Sequence, residues 1–123
     1  MRIMGSCCFA AEEDDVRSAT TALQAAGYAL DFMDGKLVDE PDCTFVEACK
    51  DVVITDELAD DPILCTLQGA ATMEPCERAK YAAALKVMDE IKAIIDPFGG
   101  DCGEAGEIGS DHIAFGGEKL ARH

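Results

Sequence analysis

"FGGDCGEAGEIG", residues 98–109, is the stretch on which the fold turns. Glycines stand at 99, 100, 103, 106 and 109, and acids at 101, 104 and 107. Three readings compete: a phosphate cradle, a metal loop, or the exit from a helix into a last strand. A phosphate cradle needs free amides at the start of a helix. Here the apolar-periodic run ends before the glycines, and Asp101, Glu104 and Glu107 would repel a phosphate. The spacing is also not G-x-G-x-x-G. A calcium loop begun at Asp101 places Gly106 correctly at its sixth position. It also places Gly103 and Ala105 where oxygen ligands belong, and His112 where the closing Glu belongs. The stretch therefore reads as a helix stop feeding a glycine-rich terminal strand.

Upstream lies the clearest element, "EPCERAKYAAALKVMDEIKAII", residues 74–95. Pro75 suits a first helical turn. Tyr81, Leu85, Met88, Ile91 and Ile95 recur at helical spacing, and Pro97 stops the run. Before it, "PILCTLQGAAT" sets Ile63, Cys65 and Leu67 against Leu64, Thr66 and Gln68, which predicts a strand. The N-terminal third repeats the pattern. "RIMGSCCFA" has Ile3, Cys7 and Phe9 on one face, with Gly5 among them. "AEEDDVRSATTALQAAG" carries a helical stripe at Val16, Ala19, Leu23 and Ala26, and Glu12 to Asp15 crowd the first turn, where the helix dipole favours acids. "YALDFM" alternates Tyr28, Leu30 and Phe32 against Ala29, Asp31 and Met33, and Asp34-Gly35 offers a hairpin turn.

The predicted order is strand, helix, strand, strand, helix, strand. That is an α+β chain of the ferredoxin-like, split βαβ kind, with two helices on one face of an antiparallel sheet. Residues 1–108 form one domain. Residues 40–61, "EPDCTFVEACKDVVITDELADD", read as an irregular acidic insertion in which "FVEAC" suits a helical turn and "DVVIT" a short strand. Residues 109–123 read as a short strand or a frayed tail.

Charge narrows the function. Twenty-five Asp and Glu against ten Lys and Arg give a net charge of −15 over 123 residues. Such a surface opposes direct nucleic-acid binding and anionic membranes, and favours a basic protein partner. The acids Glu47, Asp51, Asp56, Glu57, Asp60 and Asp61, with Glu104 and Glu107, form the expected partner-binding set. Seven cysteines, an odd number, argue against a disulfide framework. "MRIMGSCCFA" has too few apolar residues for a signal peptide. Phe9 stands where a myristoylation motif begun at Gly5 wants Ser or Thr. No run reaches membrane-spanning length, so a cytoplasmic protein with reduced thiols is expected.

Catalytic and cofactor chemistry find little support. Cys7 and Cys8 are adjacent and point to opposite faces of a strand. Cys43 and Cys49, spaced C-x5-C, are the nearest approach to a metal pair and match no strong zinc pattern. His112 and His123, both near the tail, are poor material for nucleophilic catalysis, which needs a base with its orienter. The expectation is a non-catalytic protein without cofactor. Two alternatives stay open: a thiol-based metal-binding or redox-responsive protein, and a small-ligand-binding domain or enzyme. A homodimer through the open sheet face is a further expectation, since Met4, Cys8, Met33 and Leu64 would leave that face partly apolar.

Two stretches resemble the regulator of ribonuclease activity B family, the ribonuclease E inhibitors. The first is "CCFAAEEDDVRSATTALQAAGYAL", residues 7–30. The second is "TMEPCERAKYAAALKVMDEIKAIIDPFGGDC", residues 72–102. Gly99 and Gly100 match the family's Gly-Gly exit. Cys102 stands near the Tyr of its Tyr-Asp-Gly-Trp signature, and Gly103, Glu104 and Ala105 replace the rest. The resemblance implies an acidic, non-catalytic protein that binds ribonuclease E and lowers RNA turnover.

Overall fold

The alternation in "RIMGSCCF" places the middle of the sheet. β1, Arg2–Phe9, buries Ile3, Gly5, Cys7 and Phe9 on one side and leaves Met4, Ser6 and Cys8 half-buried on the other. The computed structural model describes residues 1–9, 13–33, 44–66, 72–108 and 113–115. The remaining strands are β2 (Ala29–Met33), β3 (Thr44–Asp51), β4 (Gly100–Glu107) and β5 (Ile113–Phe115). They form one sheet in the order β2-β3-β1-β4-β5, with every neighbouring pair antiparallel. β1 and β2 therefore run parallel with β3 between them, and β3 and β4 run parallel with β1 between them.

Two helices close one face. α1, Glu13–Ala25, has Glu13, Asp14 and Asp15 in its first turn and buries Val16, Ala19, Thr20 and Leu23. Gly27, at φ 96°, turns the chain back towards β2, a conformation in which a Cβ is strained. α2, Pro75–Ile95, buries Ala79, Ala82, Ala83, Leu85, Met88, Ile91 and Ile95 among others. Both helices enter the same core as Ile3, Cys7, Phe9 and Val46. Each fully buried Leu, Ile, Met or Phe contributes about 1.5–3 kcal/mol relative to exposure.

The opening stretch behaves as a helix exit. Asp96–Phe98 tightens into a 3₁₀ turn, and Gly99 takes the left-handed conformation at φ 78° while its N–H donates to the Asp96 carbonyl. β4 starts at the next residue. Its register slips between Ser6 and Cys7: Cys102 faces Cys7, while Glu104 faces Ser6. Gly103 is the extra residue of a bulge. As a result Cys102 and Ala105, three apart, are both buried on the helix side. β5 lies within the predicted tail and extends the same sheet beyond β4.

The third strand corrects the sequence reading. It is "TFVEACKD", within the stretch taken as an irregular insertion, and not "PILCTLQ". Val46 and Ala48 point into the core, while Phe45, Glu47 and Cys49 do not. Glu and Lys within a short run masked that alternation. Of "DVVIT" only Asp51 is in the strand, and Val53 is 81% exposed. Residues Pro62–Thr66 form a 3₁₀ helix instead of a strand. Pro62 fixes its start, and Asp61 Oδ1 accepts the Ile63 N–H at 3.0 Å. Leu64 is consequently a core residue, 5% exposed, and does not belong to the open sheet face. The Asp34-Gly35 turn, Cys43, His112 and His123 lie outside the described residues.

Two glycines of β4 should respond oppositely to alanine. A Cβ on Gly100 would press on the Phe9 ring, with Cδ1 at 2.7 Å, and on Ile95 Cδ1 at 3.0 Å; both side chains are fully buried. A Cβ on Gly103 would meet nothing within 4 Å. Gly100→Ala should lower the unfolding free energy in urea by ~1–3 kcal/mol, and Gly103→Ala should stay within ~0.5 kcal/mol. Equal losses would contradict the register of β4.

Candidate binding face

The pleat and the register build the open face row by row. Ser6 on β1 lies opposite Glu47 on β3 and opposite Glu104 on β4, and Asp31 on β2 lies opposite Glu47. The middle row therefore runs Asp31, Glu47, Ser6, Glu104 across the sheet. Neighbouring strands are about 4.8 Å apart, so Asp31 and Glu47 are immediate neighbours and Glu104 stands about 10 Å from Glu47. One flanking row holds Ala29, Cys49, Met4 and Gly106, and the other holds Phe45, Cys8 and Asp101. Asp31 is exposed; Glu47, Glu104, Met4, Cys8, Phe45 and Cys49 are half-buried.

The carboxylates of the middle row are not neutralised by any described cation. Every described Lys and Arg is engaged elsewhere. Arg2 pairs with Asp51 at 3.4 Å, Arg17 with Glu13 at 3.3 Å and Lys50 with Glu90 at 3.0 Å. Lys80 pairs with Glu107 at 3.1 Å, Lys86 with Asp61 at 2.6 Å and Lys92 with Asp101 at 3.8 Å. Arg78 donates to the Ala59 and Met73 carbonyls. Among the described residues none of these cations is paired with Asp31, Glu47 or Glu104. Like charges directly across a ladder are destabilising. Burial pushes the Cys49 thiol in the adjoining row up; Arg2 opposes this, and Glu47 and Asp31 add to it.

The acids predicted to bind a partner fall in several places. Glu47 and Glu104 share the open face. Asp51 sits at the end of β3 against Arg2. Asp56, Glu57 and Asp60 lie exposed on a 3₁₀ helix, Asp56–Asp60. Asp61 is held by Lys86 and by the Ile63 N–H, which keep its carboxyl below the usual range. Glu107 turns to the helix side and meets Lys80. Asp31 was not among the predicted residues, although its place opposite Leu30 in "YALDFM" already put it on the outer face. Among the described residues no group of three or more His, Cys, Asp or Glu is arranged to hold a metal.

A concavity of about 380 Å³ opens between the end of β3 and α2. Val52, Val53, Leu58, Ala83 and Val87 give it an apolar lining, and Lys50 and Lys86 stand at its rim. Both lysines are held in ion pairs, so neither is poised for an anion. Glu90 organises this rim. Its Oε1 accepts the Tyr28 hydroxyl at 2.7 Å and the Lys50 ammonium at 3.0 Å, and Lys50 Nζ lies 4.9 Å from the Tyr28 ring centre. Burial pushes the Glu90 carboxyl up, but the two donors outweigh it and leave it below its usual range. Burial, then the bond to Glu90, drives Tyr28 well above the ordinary tyrosine range. No short motif announces this trio, whose members come from the residue before β2, from β3 and from α2.

No protein-family model, curated protein or solved structure matches the chain. Among the described residues no helix is long and apolar enough to cross a membrane.

The raised Tyr28 gives a signed pH dependence. The fold favours its neutral form, so the contribution is complete below the ordinary tyrosine range near pH 10 and is lost as pH rises above it. At neutral pH Tyr28→Phe should cost about 1–2 kcal/mol. The gap between wild type and variant should then narrow at pH above about 10 in denaturant titrations. A gap that stays constant would remove Tyr28 from the alkaline transition.

Proposed function

We propose that this protein is an acidic, non-catalytic binding module that takes a basic segment of a partner protein on its open sheet face. The observation that carries the reading is the row Asp31, Glu47, Glu104, unpaired among the described residues while every described cation is engaged elsewhere. Half-buried Met4, Phe45, Cys8 and Cys49 flank that row. Lys and Arg of a partner can lay their methylene stems on those flanks and place their charged heads on the carboxylates. The net charge of −15 would steer the encounter and make its rate fall with salt.

The strand order and the two interlocked halves support reading the chain as a ferredoxin-like split βαβ fold. Fold alone does not choose a function. The resemblance in residues 7–30 and 72–102 nominates ribonuclease E as the first partner to assay. A second copy of the chain is a poorer occupant, because pairing through this face would set one acidic row against another.

The test separates site from overall charge. The variant Asp31→Asn/Glu47→Gln/Glu104→Gln removes three charges from the face. The control Asp56→Asn/Glu57→Gln/Asp60→Asn removes three from the 3₁₀ helix. Binding to purified ribonuclease E and to a Lys/Arg-rich peptide should weaken at low salt by roughly tenfold or more in the first and by less than about threefold in the second. The face variant should also gain ~0.2–1 kcal/mol of stability from relieved repulsion. Equal weakening in both would reduce the effect to general charge and overturn the assignment.

A further inference from the structure

Cys7 and Cys102 face each other directly across the β1–β4 ladder, both on the helix side. They are 1% and 0% exposed; the Cys7 thiol donates to the Gly5 carbonyl at 4.0 Å and the Cys102 thiol to the Glu104 carbonyl at 3.4 Å. Directly opposed residues of an antiparallel pair have Cα atoms about 4.5 or 5.5 Å apart. Both separations fall inside the window of about 4.4–6.8 Å that a disulfide accepts. Neither Cys8 nor Cys49 faces a cysteine across the ladder: Cys8 faces Phe45 and Asp101, and Cys49 faces Ala29 and Met4, while Cys76 is exposed on α2.

The two sulfurs are not equivalent. The adjacent Cys7 holds the Cys102 thiol below its ordinary range, against burial, with help from Lys92 and the Glu104 peptide. The adjacent Cys102 and burial drive the Cys7 thiol upward. Lys92, paired at 3.8 Å with Asp101 next to Cys102, places a cation on the Cys102 side of the pair, so Cys102 is assigned as the nucleophile and Cys7 as the resolving thiol. Burial excludes bulky disulfide reagents but not a small neutral oxidant. The strand also bulges at Gly103, beside Cys102, where no atom lies within 4 Å of a Cβ position.

We propose that Cys7 and Cys102 are a peroxide-oxidised dithiol that closes a reversible cross-strand disulfide between β1 and β4. The Cys102 sulfur attacks one oxygen of hydrogen peroxide, the O–O bond breaks, and a sulfenic acid and one water result. The Cys7 sulfur then attacks the sulfenic sulfur, the S–O bond breaks, and a second water leaves. Two thiols lose two hydrogens, and the peroxide is reduced to two waters. A thiol reductant reverses the bond by exchange. The bridge ties the central strand to a strand far along the chain and so constrains the unfolded state strongly.

Fully reduced protein is treated with graded hydrogen peroxide, quenched, unfolded, alkylated and mapped by mass spectrometry. The expected product has lost about 2 Da (two hydrogens), carries a peptide cross-linking Cys7 to Cys102, and reverts with dithiothreitol. Its denaturation midpoint rises by several degrees and falls back on reduction. Cys102→Ala should abolish both the cross-link and the rise. The wild-type peptide map is decisive even if that variant does not fold. The proposal is overturned if Cys7 and Cys102 both remain alkylatable after exposed Cys76 has been oxidised. A disulfide joining other cysteines overturns it as well.

Discussion

The structure depends on how closely α2 can approach the centre of the sheet. Small residues set that distance. Ala79, Ala82, Ala83 and Ala84 are buried on the helix, and Gly5 and Gly100 lie beneath it on β1 and β4. A Cβ at Gly5 would reach Ile91 Cδ1 at 2.5 Å and Cys102 Sγ at 3.3 Å, so the missing side chain is the space Ile91 fills. With no Trp in the chain, a core of Ile, Leu, Met, Phe and Cys must interdigitate without large plates to span gaps. Close approach also places Cys7 and Cys102 opposite each other in a dry layer.

The two faces of the sheet are treated differently by the charges. On the helix side and around the rim, acids meet bases: Glu107 with Lys80, Asp61 with Lys86, Glu90 with Lys50. On the open side the middle row is acidic, and none of its carboxylates is paired with a described base. A chain this acidic has few cations to distribute, and those described pair with acids other than Asp31, Glu47 and Glu104. The open face is left with a field that its own stability does not need and that repulsion between Asp31 and Glu47 works against. This imbalance is what makes the face a candidate for recognition and the rim a matter of folding.

Much of the architecture could be read in the residues. The helix stop at Pro97 to Gly100, the acidic start of α1, the stripe of α2 and the alternation of β1 and β2 follow from local rules, and each is found. β3 was less legible. "TFVEACKD" buries only Val46 and Ala48, two modest side chains, and its neighbour "PILC" shows a louder apolar pattern that packs as a 3₁₀ helix. Tertiary context, not propensity, selected between them. The acidic row was half legible. Glu47 and Glu104 stood out as acids, but their adjacency needs the register of β3 and β4 against β1. The thiol pair was invisible for the same reason, since 95 positions separate Cys7 from Cys102 in the chain.

Gly103 shows how one backbone irregularity can choose a surface. In an unbroken pleat, Cys102 inward would carry Glu104 inward too, into the apolar layer beneath α2, and would turn Ala105 out to water. The additional residue delays the strand by half a period. Small side chains continue to line the interior, and the carboxylate emerges on the outside. The chemistry displayed by that edge is therefore decided by a phase slip as much as by which amino acids are present.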